Sequence, residues 1–121
     1  MNVGILGLGL IGGSLARAYA KAGHTVLSYD ADENILDFAM LSGVVHGRLN
    51  KETVGKCDLI LLAIFASASG DWLEEHAELV SSHTLVIDCC GIKTEICERC
   101  FPLARKHGFT FIGGHPMAGS H

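Results

Sequence analysis

The sequence has little positive charge, and what it has is scattered. Nine lysines and arginines against thirteen aspartates and glutamates give a formal net charge of -4, and the basic residues stand singly along the chain. A protein that follows a phosphate backbone needs a basic stripe or patch on its surface. Nucleic acid is therefore not an expected partner.

The sequence also lacks an uninterrupted apolar run of membrane-spanning length. The uncharged stretch from Val3 to Ala16 contains five glycines and is shorter than the roughly 20 residues that a spanning helix needs. Only Met1 and Asn2 precede it, so the basic segment that opens a secretory signal is missing. We expect a soluble, cytoplasmic protein without a membrane segment.

The cysteines and histidines do not form a complete metal-site pattern. The five cysteines are an odd number, which agrees with a reducing compartment. Cys97 and Cys100 have C-x-x-C spacing and could be combined with Cys89 and Cys90 into a zinc site, but a second C-x-x-C pair is absent. We expect ordinary thiols and no bound metal. We also expect five histidines to lie at the surface: His24, His46, His76, His83 and His107.

What the sequence does have is a regular alternation of apolar strands and helices. Strands are predicted at Asn2–Gly7, Thr25–Tyr29, Val44–Val45, Asp58–Ile64, Thr84–Asp88 and Phe109–Ile112. Helices are predicted over Leu10–Ala22, from Asp32 or Asn34 to Ser42, over Ser69–Ser81 and over Thr94–His107, with glycines after three of them. Apolar strands separated by helices are typical of a parallel sheet covered on both faces. Right-handed crossovers then predict one α/β domain over residues 1–121, a Rossmann-type doubly wound parallel sheet with six strands in the order 3-2-1-4-5-6.

The junction of the first strand and first helix carries a G-x-G-x-x-G pattern. Gly7 would make the tight turn, Gly9 would let the backbone approach a pyrophosphate, and Gly12 would let helix and strand pack closely. The N–H groups at the start of the helix would supply donors to the anion. The pattern predicts a dinucleotide site formed by Gly7, Leu8, Gly9, Leu10, Ile11 and Gly12.

An acid, Asp30, directly follows the second strand, at the position that completes this pattern. Its carboxylate can accept hydrogen bonds from the adenosine ribose hydroxyls and would repel the additional phosphate of NADP. No lysine or arginine stands among the next three residues to neutralise that phosphate. NAD is the predicted cofactor, and Asp32 is the better candidate for a helix cap.

The segment GGHPMAG directly follows the sixth strand, at the edge where open parallel sheets bind ligands. Gly113 and Gly114 permit unusual backbone angles, and Pro116 favours an extended His115. A histidine with a pKa of about 6.5 suits proton removal near neutral pH. His115 is therefore the candidate catalytic base, although a purely structural His-Pro turn is an equal alternative from position alone.

Four segments together resemble the N-terminal domain of the prephenate dehydrogenase family, which includes the arogenate dehydrogenases: GLGLIGGS at Gly7–Ser14, Asp30, DCCGIK at Asp88–Lys93 and GGHPMAGSH at Gly113–His121. The resemblance covers essentially the whole chain. It implies that His115 accepts the proton of the C4 hydroxyl of prephenate while hydride passes from that carbon to NAD. Loss of carbon dioxide then gives 4-hydroxyphenylpyruvate, in tyrosine biosynthesis.

The sequence departs from the family at two positions. Gly91 stands where many relatives have a serine that orients the histidine. Phe65 stands where a proline is usual, so we expect the loop from Phe65 to Gly70 to take a different path. The family also implies a helical domain that forms a homodimer and binds the substrate, and these residues do not include it. We expect a cofactor-holding module or truncated form. The choice between prephenate and arogenate as substrate stays open. Two other interpretations also stay open: a dehydrogenase of the six-phosphogluconate type, and an NAD-sensing module without turnover.

Overall fold

A computed structural model describes residues 1–89 and 93–113. Its strands are β1 (Asn2–Leu6), β2 (Thr25–Tyr29), β3 (Gly47–Arg48), β4 (Leu59–Leu62), β5 (Leu85–Asp88) and β6 (Thr110–Ile112). Its α-helices are α1 (Leu10–Lys21), α2 (Glu33–Leu41), α3 (Ala66–His76) and α4 (Lys93–His107), with short 3-10 helices at Val54–Lys56 and Ala77–Leu79. The strands form one parallel sheet in the order β3-β2-β1-β4-β5-β6, which confirms the predicted Rossmann-type topology.

The central strands are apolar without alternation because both faces of the sheet are covered. All four residues of β4 are buried, and successive side chains enter different cores. Ile60 and Leu62 join the core on the α3–α4 side, whereas Leu59 and Leu61 join the core beneath α1 and α2. Full burial of a leucine or isoleucine side chain contributes about 1.5–3 kcal/mol. These two cores hold the carboxyl ends of the strands in place.

The helix ends follow the local signals in the sequence. Gly23, Gly43 and Gly108 follow α1, α2 and α4 with positive φ angles of 93°, 80° and 84°, a conformation that favours glycine. The side chain of Asp32 accepts a hydrogen bond from the Asn34 N–H at 3.0 Å, so Asp32 caps α2. The predicted capping role of Asp32 is confirmed.

The third strand is not where the apolar pair predicts it. Val44 and Val45 turn back onto α2, since both donate their N–H groups to the Ala39 carbonyl at 3.1 and 3.2 Å. Val45 is buried in the core rather than paired in the sheet. The pairing strand is Gly47–Arg48, where the Leu27 side chain occupies the space beside Gly47. The two valines are therefore apolar because they pack in the core, and not because they form a strand.

Helix α3 begins three residues before the predicted Ser69 and ends five before the predicted Ser81. Phe65 is its N-cap residue, and the Phe65 carbonyl accepts the Ser69 N–H at 3.0 Å. The stretch from Phe65 to Gly70 is thus the first turn of a helix rather than a loop. Within the residues that the structure describes, no helix has the length and apolar character needed to cross a membrane.

Candidate functional site

The strand order reverses between β1 and β4, and an open parallel sheet forms a crevice at the carboxyl ends of two such strands. These strands are neighbours, but the chain leaves β1 toward β2 and leaves β4 toward β5, so their connecting helices α1 and α3 lie on opposite faces. Open parallel sheets bind ligands where the strand order reverses in this way. The glycine-rich loop between β1 and α1 lies at this point.

Gly7 and Gly12 are required by the packing of the loop itself. Gly7 has φ = 94°, and a Cβ atom there would overlap the Ile64 side chain and lie 3.0 Å from the Ala63 carbonyl oxygen. A Cβ atom on Gly12 would overlap the Gly7 carbonyl. Because these neighbours are largely backbone atoms, they cannot move aside cheaply. Helix α1 consequently starts in direct contact with the end of β1.

Gly9 differs, because a Cβ atom there would meet no protein atom within 4 Å. It is the N-cap residue of α1, has no side chain to cap the helix, and is followed by a first turn without acidic residues. The first intrahelical hydrogen bond joins the Gly13 N–H to the Gly9 carbonyl at 2.8 Å, so the N–H groups of Leu10, Ile11 and Gly12 have no carbonyl partner within the helix. This uncapped helix end faces open space and suits an anion.

Asp30 lies beside the glycine loop and is bonded to it. One carboxylate oxygen accepts the Leu8 N–H at 2.8 Å, and the other accepts the Asp32 N–H at 2.8 Å. Each oxygen keeps a further lone pair, so the carboxylate can still accept bonds from a ligand hydroxyl. The bond to Leu8 has no signal in the sequence, because every non-proline residue carries the same backbone donor.

A cavity of about 280 Å³ adjoins the end of β2 on the α3 side of the sheet. Residues on its wall include Tyr29, Asn50, Lys51, Trp72, Glu75 and His76. His76 is buried, contrary to the surface position predicted for it, and its ring stacks on Trp72 with centroids 4.2 Å apart and planes 16° apart. The His76 Nδ1 atom lies 2.7 Å from the Trp72 carbonyl oxygen, which fixes the ring. In the sequence, the W-x-x-x-H spacing on a predicted helix indicates that the two rings lie on the same face, and the wall could have been predicted from it.

A second cleft of about 330 Å³ lies on the other face, between α1 and α2. Its wall is mainly apolar, with Leu8, Ile35 and Phe38, and the basic residue on it is Arg17. The Arg17 guanidinium donates to the Ser14 hydroxyl at 3.4 Å. The two clefts flank the strand end that carries Asp30, and the one on the α3 side has the larger share of polar side chains.

The described cysteines are unreactive or partly covered thiols. Burial raises the pKa of Cys57 to about 11, with a smaller effect of the neighbouring Asp58 charge, and burial raises the pKa of Cys100 to about 12. Both thiols are therefore protonated at neutral pH. No group of three or more histidine, cysteine or acidic side chains within residues 1–89 and 93–113 could hold a metal ion.

The described residues reach Gly113 but do not include the predicted catalytic residue, His115. Gly113, at the end of β6, packs against the Cys97 thiol, since a Cβ atom on Gly113 would lie 2.6 Å from the sulfur. His115, Gly91 and Cys90 lie outside the described residues. The structure therefore brings together the glycine loop and Asp30, and the role of His115 stays a prediction.

Comparison with known proteins gives consistent matches. The family described as "Prephenate dehydrogenase, nucleotide-binding domain" matches residues 15–121. The chain is 34% identical to the prephenate dehydrogenase of Lactococcus lactis subsp. cremoris, over 97% of this chain and 34% of that protein. It thus spans about a third of the length of this relative.

Two solved structures share the architecture and part of the sequence. Prephenate dehydrogenase from A. aeolicus, in complex with hydroxyphenyl propionate and NAD+, has a TM-score of 0.80 and 25% identity, over 100% of this chain and 43% of that one. Synechocystis arogenate dehydrogenase has a TM-score of 0.78 and 26% identity, over 85% of this chain and 37% of that one. The predicted cofactor, NAD, agrees with the nucleotide-binding description of the matching family and with the NAD+ in the A. aeolicus complex.

Proposed function

Since this chain belongs to the family of prephenate dehydrogenase nucleotide-binding domains, we propose that it binds NAD across the carboxyl edge of its sheet. The observation that carries the proposal is the 2.8 Å hydrogen bond from the Leu8 N–H to Asp30. This bond brings an acid suited to a ribose and a helix end suited to a phosphate into one crevice. The residues present therefore fit a dinucleotide.

Each part of the cofactor has a matching element. The pyrophosphate would lie over Gly9 and accept bonds from the N–H groups of Leu10 and Ile11, with no protein atom in the way. The adenosine ribose hydroxyls would donate to Asp30. The adenine ring would enter the cavity next to Tyr29 and contact the stacked Trp72 and His76 rings. Flat apolar and aromatic walls with a few polar groups are typical of such pockets.

NAD is favoured over NADP by the charges near Asp30. A 2′-phosphate would meet the Asp30 carboxylate, and like charges at close range repel. Arg48 packs against α2, but its guanidinium is already paired with Glu33 at 2.9 Å and Asp37 at 3.1 Å. Those pairs would have to break before Arg48 could neutralise a phosphate.

The chemistry that we propose for a protein that carries this domain is NAD-dependent oxidation and decarboxylation of prephenate or arogenate. NAD, when bound, supplies the hydride acceptor. His115 follows Gly113 by two residues in the sequence, and Gly113 directly follows β6, at the same edge of the sheet as the glycine loop. As a general base at that edge, His115 would take the hydroxyl proton of the substrate ring. The homodimer expected from the family stays a prediction.

Calorimetric titration of the 121-residue chain with NAD and with NADP tests the proposal. We expect binding of NAD and weaker binding of NADP, and absence of binding by both would refute it. NADH absorbance after addition of prephenate, and separately of arogenate, tests turnover, with His115→Asn as the matched variant. NAD binding without NADH from either substrate would mean that this chain holds the cofactor but does not complete the reaction by itself.

A further inference from the structure

Phe65 is a large aromatic side chain exposed at the ligand-binding edge of the sheet. Its exposed fraction is 71%, although it lies three residues after the buried strand β4 and directly precedes the buried residue Ala66. As the N-cap residue of α3 it contributes its carbonyl to the helix, and its side chain makes no capping bond. The fold therefore does not need the aromatic ring at this position.

The backbone next to Phe65 touches the glycine loop. The Ile64 side chain fills the space where a Cβ atom on Gly7 would lie, and the Ala63 Cβ would be 3.3 Å from a Cβ atom on Gly12. Phe65 thus follows directly on the segment that packs against the proposed pyrophosphate site. Phe65 therefore stands at the margin of the crevice, and its ring is exposed.

Phe65 and Asp30 lie on opposite sides of that crevice. In the strand order β3-β2-β1-β4-β5-β6, the glycine loop follows β1, Asp30 follows β2 on one side, and Phe65 follows β4 on the other. A dinucleotide with its adenosine ribose at Asp30 and its pyrophosphate over Gly9 must extend toward β4. Its nicotinamide riboside half therefore reaches the end of the crevice that carries Phe65.

We infer that Phe65 packs its ring against the nicotinamide riboside half of bound NAD and so positions the reacting end of the cofactor. The inference rests on the proposed NAD site. The ring would exclude water from one side of this half and bury apolar surface of its own. An aromatic contact of this kind contributes a factor of about two to twelve in affinity.

Calorimetry with NAD and with ADP separates this contact from the rest of the site, since ADP lacks the nicotinamide riboside. We expect Phe65→Ala to weaken NAD binding about two- to twelve-fold and to leave ADP binding unchanged. Phe65→Leu, which keeps apolar bulk without the ring, should fall between. Leu41→Ala is the matched control, because Leu41 is 88% exposed at the end of α2, away from the crevice. It should change neither affinity.

The nicotinamide proton resonances give an independent measurement. We expect the Phe65 ring to shift them in the wild-type complex, and this shift should disappear in Phe65→Leu. Equal NAD affinity in wild type and Phe65→Ala, or an equal loss of NAD and ADP binding, would overturn the inference while the NAD site stands. If wild type binds neither NAD nor ADP, the proposed function fails and the role of Phe65 fails with it. Unchanged thermal unfolding of the variants confirms that the fold is intact.

Discussion

Replacing Asp30 should loosen the glycine loop as well as remove a ribose acceptor. Its two carboxylate oxygens hold the Leu8 and Asp32 N–H groups at 2.8 Å each. Asp30→Ala removes both bonds, whereas Asp30→Asn keeps one carbonyl oxygen that can still accept from Leu8. The amide nitrogen of asparagine cannot accept the second N–H. The two substitutions therefore separate the charge of Asp30 from its hold on the loop.

The magnitudes follow from the exposure of the two bonds. A hydrogen bond to a charged group contributes about 1.5–3 kcal/mol when buried, and the half-buried bond to Leu8 belongs near about 1.5 kcal/mol. The exposed bond to Asp32 contributes less, about 0.5 kcal/mol. We expect Asp30→Ala to lower the free energy of unfolding by about 2 kcal/mol, which leaves a domain of ordinary stability folded. Loss of the ribose bonds should weaken NAD binding about 10- to 150-fold.

The assay combines calorimetry with amide exchange measured by NMR. The Leu8 amide should exchange faster in Asp30→Ala than in wild type, and stay largely protected in Asp30→Asn. NADP binding should strengthen about five-fold in Asp30→Asn, because about 1 kcal/mol of charge repulsion is removed while the loop stays ordered. Asp32→Asn controls for the loss of one negative charge, since asparagine caps a helix as well as aspartate. Unchanged Leu8 exchange in Asp30→Ala, together with the same gain in NADP affinity as in Asp30→Asn, would refute the reasoning.

Two further predictions concern packing and pH. Gly12→Ala should lower the free energy of unfolding, measured in urea, by about 1–3 kcal/mol, because its Cβ atom would overlap the Gly7 carbonyl. Gly9→Ala should leave the free energy of unfolding nearly unchanged but weaken NAD binding. Equal losses of stability in the two variants would contradict this account. The raised pKa of Cys57, about 11 against an ordinary 9.0, means that its contribution to stability is fully present below about pH 9 and is lost as the pH rises toward 11. Cys57→Ala should flatten this part of the stability profile, and an identical alkaline decline in the two proteins would count against it.

Local signals predicted the elements whose boundaries depend on backbone geometry. Glycines with positive φ end three helices, and Asp32 caps α2, because these conformations depend on the residue type at one position. The apolar runs of β1, β4 and β5 were recognisable because strands covered on both faces cannot carry alternating polar residues. The right-handed crossover rule then determined their order.

The predictions for the third strand and for His76 were wrong, because the sequence does not show which residues pair in the sheet and which are buried by another element. Val44 and Val45 have strand-like character, but they serve the core, and the short β3 contains a glycine and an arginine with no apolar signal. His76 is polar by composition, yet the Trp72 ring and carbonyl satisfy it in a buried position. A local pattern does not distinguish these outcomes, because they depend on which surface another element covers.

The amino-acid sequence by itself determined the α/β class, the strand order, the glycine turn and the acid after β2, because each follows from local conformation, apolar periodicity or chain handedness. Only the tertiary structure decided that Asp30 holds the Leu8 N–H, that Trp72 and His76 form one wall of a cavity, and that Phe65 stands across the crevice from Asp30. These relations join residues far apart in the chain. They arise when the sheet places separate strand ends at a common edge, which no local pattern encodes.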